Sequence, residues 1–243
     1  MAIDVRTHWE KIYTTKASDQ VRWYRPHLET SLALIKRSAS DRTASVIDVG
    51  RGESNLVDDL LEEGFQNITV LDVSQAAIDV NKTRLGEKAS GADWLVADIT
   101  QVELEPKAYD VRHDRAVFHF LTAKEHRAAY VRQVARSVKP GGHVMVSTFG
   151  PAGPTRCSGL DAVRYADSLH DELVHASAWW KARRNCIRHG LVPRSSSSIT
   201  TAGWGEVADR ADPSAQRRLT AASLTFIRQP PSRAPCRNHS YPK

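Results

Sequence analysis

The sequence predicts a doubly wound α/β domain with a parallel core sheet, followed by a basic stretch outside that pattern. Short apolar runs of strand length alternate with helix-period segments from residue 45 to residue 149. Such runs are what parallel strands covered on both faces require. A glycine-containing turn stands directly between the first of these strands and the next helix, and carboxylates close three successive strands.

Taken in order, residues 7–13 form a short amphipathic helix with Trp9, Ile12 and Tyr13 on its apolar side. A loop ending in Trp23-Tyr24-Arg25-Pro26 leads to a helix over 27–37, where Leu28, Leu32, Leu34 and Ile35 recur at near-helical spacing. Residues 45–49 are the first strand. A helix over 55–63 presents Leu56, Leu60 and Leu61 and is closed by Gly64. Residues 68–72 are the second strand, and Ser74 is a good N-cap for a helix running to Leu85. The third strand is 94–98 and the fourth 109–114. A helix over 123–138 is stopped by Lys139-Pro140-Gly141-Gly142, and 143–149 is the fifth strand. Residues 160–173 read as one more helix. The division expected is 1–43 as helices capping a site, 44–173 as the cofactor-binding domain, and 174–243 as an anomalous basic tail.

Composition narrows the partners. With 41% hydrophobic and 26% charged residues, 243 residues fit one globular domain plus an appendage. No apolar run approaches the length of about 18 that marks a membrane span, and the first residues do not read as a secretory leader. Cys157, Cys186 and Cys236 are odd in number and lack metal-ligand spacing, so a reducing cytoplasm and no metal are expected. The net charge of +6 would ordinarily suggest nucleic acid. Residues 1–173, however, carry 22 Lys+Arg against 25 Asp+Glu, and residues 174–243 carry 12 against 3. The basicity belongs to the tail, and no nucleic-acid partner is indicated.

The chemistry concentrates at Asp48-Val49-Gly50-Arg51-Gly52-Glu53-Ser54. Two glycines let the backbone turn sharply and approach a ligand that a side chain would block; a turn that merely needs glycine is the simpler reading. Asp72 closes the second strand, where a carboxylate can accept both hydroxyls of a ribose, or else cap a helix. Asp98 closes the third, where it can accept from an adenine amine, or else serve a turn. The carboxyl ends of adjacent strands are where open α/β sheets bind ligands.

The ordered set VIDVGRGES, VLDVS, ADIT, YDVRHDRAVFHFL and VKPGGHVMVSTF resembles the motifs of class I S-adenosylmethionine-dependent methyltransferases over about residues 44–150, with their Rossmann-like sheet. The segment HWEKIY…VRWYRPHLETSLALI is similar to the leading segment of a bacterial subgroup. The resemblance implies S-adenosylmethionine as cofactor. Gly50 and Gly52, with Asp48 before them, would flank its methionine part, Asp72 and Val73 would meet the ribose, and Asp98 with Ile99 the adenine. Catalysis would be mostly positioning. Asp114, which also borders the cofactor, or His119 would act as a base if the acceptor arrives protonated; a packing role for His119 is the alternative. Trp23, Tyr24 and Arg115 are candidates for the acceptor pocket, and the acceptor is a small molecule or a protein.

Two residues depart from the pattern. Arg51 fills a position that is usually small, and Arg112 lies inside a strand that should be apolar. The tail departs as well. The fold calls for two more strands, the last antiparallel, but residues 174–243 show no sustained strand or helix period and end in a segment of disordered composition. Codon degeneracy permits a shifted reading frame from Val174 that yields two strand-like runs joined by a polar loop and then a stop. The expectation is therefore a missing final hairpin and a disordered or frameshifted tail. Two alternatives to methyl transfer remain at this point: a nicotinamide-dependent oxidoreductase, disfavoured by the absent third glycine, and a non-catalytic relative carrying Arg51 and Arg112 as decay.

Overall fold

The computed structural model describes residues 4–15, 26–165, 169, 172–173, 199–202 and 223–229. Five parallel strands form the centre: β1 (Ser45–Val49), β2 (Asn67–Asp72), β3 (Ala92–Val96), β4 (Tyr109–Arg115) and β5 (Val138–Phe149), in the spatial order β3-β2-β1-β4-β5. The expected doubly wound sheet is thus present. Among the fully described segments, helices accompany it at α1 (Val5–Thr15), α2 (Glu29–Ser38), α3 (Leu56–Glu62), α4 (Gln75–Leu85) and α5 (Lys124–Ser137). The Ser74 hydroxyl caps α4 as expected, accepting from Ala77 N at 3.2 Å.

Alternation along the strands sorts the core into two layers. Val46, Ile68, Val70, Val111 and Met145 pack with Leu34, Ile35, Leu56, Leu60 and Ile78 of α2, α3 and α4. Ile47, Val49, Leu71, Val144 and Val146 pack on the opposite face with Tyr130, Val131 and Val134 of α5. Each layer also holds polar groups. Asp48 and His113 are register partners on β1 and β4. His113 Nδ1–H donates to Asp48 Oδ1 at 2.7 Å, and its Nε2 accepts from the Ser31 hydroxyl of α2 at 3.0 Å. All three residues are buried, so this chain fastens α2 to the sheet. On the α5 side Arg112 is fully buried, as its position in a central strand requires.

Several expectations need correction. Pro140-Gly141-Gly142 does not separate α5 from β5. It lies within β5 as an irregularity, where pairing steps from Tyr109↔Val138 to Val111↔His143 and Gly141 takes a φ of 81°. Residues 160–161 are not helical: β6 (Arg156–Cys157) and β7 (Leu160–Asp161) make a small antiparallel pair, turned at Ser158 and Gly159, and helix is assigned only at Leu169, Glu172 and Leu173 among the described residues that follow. The sheet also does not end at β5. In the tail, β8 (Ile199–Ala202) and β9 (Ser223–Gln229) pair antiparallel, and β9 lies parallel beside β5. An open strand edge presents unpaired N–H and C=O groups that another strand satisfies. The run Ser223-Leu224-Thr225-Phe226-Ile227 has the β-branched and aromatic content for it. The expected missing hairpin is therefore corrected for these eleven positions, with the last strand parallel rather than antiparallel to β5. The rest of 174–243 lies outside the described residues.

Candidate functional site

A cavity of about 570 Å³ opens at the carboxyl ends of β1, β2, β3 and β4, the end where such sheets bind ligands. Of the residues singled out in the sequence, it brings together Gly50, Asp72, Val73, Asp98, Ile99, Arg115 and His119. It does not include Asp48, Gly52 or Asp114. Trp23 and Tyr24 lie outside the described residues.

The glycine turn has the backbone that motivates glycine: φ is 65° at Gly50 and 56° at Gly52. Space forbids a side chain too. A Cβ on Gly50 would come within 1.7 Å of Val117 Cγ2, and one on Gly52 within 2.4 Å of the Tyr13 hydroxyl. Asp72 ties this turn to the next. Its Oδ2 accepts from Gly52 N at 2.7 Å and its Oδ1 from Ser74 N at 2.9 Å. Burial pushes its carboxyl up to about 6 against the pull of those two N–H groups. Asp98 likewise accepts from its own turn, from Thr100 N and Thr100 Oγ1, each at 2.8 Å. Both acids border the cavity; Asp98 serves its own turn, as the simpler reading had it, whereas Asp72 bridges two turns and leaves the capping of α4 to Ser74.

Asp48 turns to the far face of the sheet, where it meets His113, because it alternates with the cavity-lining Val49. Asp114 is buried beneath the site. It accepts from Val117 N at 2.9 Å and from the Tyr130 hydroxyl at 2.6 Å, and burial raises its carboxyl. This holds a strained turn in place: Ala116, on the cavity wall, has a φ of 79°. The turn delivers Val117 against Gly50 and starts a short 3-10 turn, Phe118–Phe120. His119 stacks on Phe149 at 4.2 Å and sits beside Phe120 at 4.3 Å. Neither of its ring nitrogens has a hydrogen-bond partner among the described residues, and burial pushes its pKa down to about 3. So weak a base does not draw a proton from an alkylammonium of pKa about 10.

Arg51 is folded away: its guanidinium donates to Ser54 O and to Asp58 Oδ2 and lies over the Trp94 ring. Burial lowers it to about 10, so it stays charged.

The opposite wall comes from α1. Val5, Trp9 and Tyr13, spaced four apart, form one helical stripe on the cavity. Glu10 pins this helix, accepting from the Ser74 hydroxyl at 2.6 Å and from Ala76 N at 3.0 Å, and His8 Nε2 donates to Ser158 O at 2.8 Å. The sequence showed Trp9 and Tyr13 as an apolar helix face without tying them to a site; their i, i+4 spacing was the available signal. Phe120 and Phe149 were not singled out, since nothing local distinguishes them from core aromatics. Among the described residues no cluster of potential ligands could hold a metal, and no helix is long and apolar enough to cross a membrane.

Residues 46–142 match the methyltransferase-domain family. The eEF1A lysine and N-terminal methyltransferase of Mus musculus is 28% identical over 138 residues, which cover 57% of this chain and 19% of that protein. The chain therefore spans about a fifth of the first curated relatives' length. EEF1A lysine methyltransferase 2 of Mus musculus is 23% identical over 190 residues, covering 71% of this chain and 75% of that protein. Among solved structures, the protein reported under the conversion of a disulfide bond into a thioacetal group during echinomycin biosynthesis superposes with a TM-score of 0.58. That match has 16% identity and covers 82% of this chain and 84% of the other. It shows the shared fold.

Proposed function

Because residues 46–142 match the methyltransferase-domain family, we propose that this chain is a class I S-adenosylmethionine-dependent methyltransferase that binds S-adenosylmethionine along the ends of β1, β2 and β3 and methylates an amine nitrogen of a protein. One observation carries the reading. A single cavity joins the glycine turn and the Asp72 and Asp98 strand ends to an aromatic compartment made by Trp9, Phe120 and Phe149. The residues present fit the cofactor. Gly50 leaves the turn without a side chain, Asp72 and Asp98 offer carboxylates for hydroxyl and amine donors, and Val73 and Ile99 offer apolar walls for a flat base.

When bound, S-adenosylmethionine supplies a methyl group already activated on a sulfonium sulfur. This chain's residues bind, orient and exclude water. Gly50 and Val73 line the cofactor end of the cavity, and Trp9 and Tyr13 cover it. Asp48 and Asp114 act as positioning residues, the first through His113 and the second through the Ala116–Val117 turn. His119, neutral across the physiological range, shapes the acceptor end and takes no proton from an ammonium. An acceptor amine that arrives neutral would take that methyl on its nitrogen, and, with His119 unable to accept it, the surplus proton would leave to bulk water. The relatives named as lysine methyltransferases support a protein amine as acceptor. The family match replaces the oxidoreductase alternative. A second reading, a non-catalytic cofactor-binding relative, draws on the buried Arg112.

Calorimetry with S-adenosylhomocysteine tests the assignment. Asp72→Ala and Asp98→Ala should each weaken binding at least about tenfold, or about 1.4 kcal/mol. Equal affinity in wild type and both variants would sink it. Tight binding with no label transferred to any protein amine would favour the non-catalytic reading.

A further inference from the structure

Resting on the methyl-transfer reading, we propose that the compartment formed by Trp9, Phe120 and Phe149 is an ammonium-binding subsite that receives an unbranched alkylamine, a lysine side chain, and holds it by the faces of its aromatic rings.

Three separate elements bring these rings to one place. Trp9 comes from α1, Phe120 from the 3-10 turn after β4, and Phe149 from the end of β5. Trp9 meets Phe120 edge-on at 5.4 Å and stacks on Tyr13 at 5.7 Å, so the rings brace one another at fixed angles. Phe120 and Phe149 flank His119. That imidazole presents no positive charge to an incoming cation, since burial holds it neutral. Leu160 of β7 closes the side with an aliphatic surface, which suits methylene groups.

The charges around the cavity favour a cation. Glu53, Asp72, Asp98 and Asp161 border it, against Arg51 and Arg115 as cations; Asp161 is paired with Arg156 at 3.0 Å and Arg51 with Asp58 at 3.1 Å, which leaves Glu53, Asp72 and Asp98 against Arg115. An anionic acceptor would meet this excess of carboxylates. An alkylammonium meets electron-rich ring faces, which attract cations most strongly where water is excluded. The same faces attract a methylated ammonium, so the subsite also retains the product of a first transfer for a second.

The test uses the full chain saturated with S-adenosylhomocysteine and two probes of one shape. One is Nα-acetyl-Nε-trimethyl-lysine amide; the other is its uncharged isostere, in which a tert-butyl carbon replaces the quaternary nitrogen. Calorimetry should find the ammonium about five- to tenfold tighter than the isostere. In Trp9→Leu and in Phe120→Leu the ratio should fall below about twofold. Because the readout is a ratio within one protein, a misfolded variant, which loses both probes together, is distinguishable from one that has lost only the rings. Equal affinity of the two probes in the wild type overturns the proposal, as does a ratio that both substitutions leave intact. If S-adenosylhomocysteine itself fails to bind, the methyl-transfer reading fails and takes this one with it; if it binds and the ammonium is not preferred, only the subsite is wrong.

Discussion

Arg112 shows how one residue can stand against its surroundings. Its guanidinium is fully buried and its three nitrogens have no hydrogen-bond partner among the described residues; what compensates it is the Tyr130 ring at 4.9 Å and the charge of the buried Asp114 carboxyl. A buried charge so poorly paired costs several kcal/mol, and apolar replacement of such groups gains on the order of 1–4 kcal/mol. Arg112→Met, similar in length and free of charge, should therefore raise the thermal midpoint by several degrees in a scanning experiment. An unchanged or lower midpoint would mean that the Tyr130 contact and the attraction to Asp114 together are worth more than the desolvation. Asp72 makes a prediction about pH. Burial raises its carboxyl from the usual 3.8 to about 6, so the folded chain holds that proton more tightly than the unfolded one. Stability from this group is present below about pH 4 and is lost as the pH rises to about 6. The carboxylates lowered by hydrogen bonds, such as Asp41 and Glu63, act in the opposite direction and at lower pH. Asp72→Asn should thus show a flatter or rising midpoint between pH 4 and 6 than the wild type, whatever its absolute stability. Parallel curves would remove Asp72 as the cause.

At the scale of elements, α1 is held by few contacts for a helix that walls the site. It buries only Ile12 fully, and its attachment runs through Glu10 to the N-terminus of α4 and through His8 to the β6–β7 turn. A carboxylate at a helix N-terminus is worth about 0.5–2 kcal/mol as a cap and dipole partner. Glu10→Ala should consequently speed amide exchange across residues 5–15 by roughly tenfold while leaving β1 and β4 protected. It should also weaken S-adenosylhomocysteine severalfold, because Trp9 and Tyr13 travel with the helix. Unaltered exchange in α1 would show that the aromatic contacts alone suffice to dock it.

For the whole molecule, the tail sets the outstanding question. Strands β8 and β9 cover the β5 edge in the present frame, yet β9 runs parallel where an antiparallel last strand was expected. The shifted-frame reading of residues beyond Val174 makes its own prediction. The gene should show codons compatible with the alternative strand pair and, with one base restored before codon 174, encode a shorter chain that melts at a higher temperature. Codons incompatible with that reading, or a restored chain that melts lower, would leave β8 and β9 as the true edge of the sheet. In that case deleting residues 174–243 should expose the β5 edge and cause aggregation, measurable by light scattering.

The sequence by itself determined the central sheet, the order of strands and helices through β5, and the strand ends at which the cavity opens. Each of these follows from local information: apolar periodicity, a Ser74 cap, glycines at 50 and 52, and acids that close strands. It also flagged Arg112 correctly as a buried charge, because a central strand leaves a side chain nowhere else to go. What each site residue does was decided only in three dimensions. Whether Asp48 faces the cavity or His113 depends on the phase of a strand relative to its neighbours, and whether Asp114 touches a ligand or braces a turn depends on Tyr130 and Val117 arriving beside it. The aromatic compartment belongs to the same class. Trp9, Phe120 and Phe149 lie more than a hundred residues apart at the extremes, and no local pattern encodes a contact between side chains that only packing of α1 against the strand ends brings together.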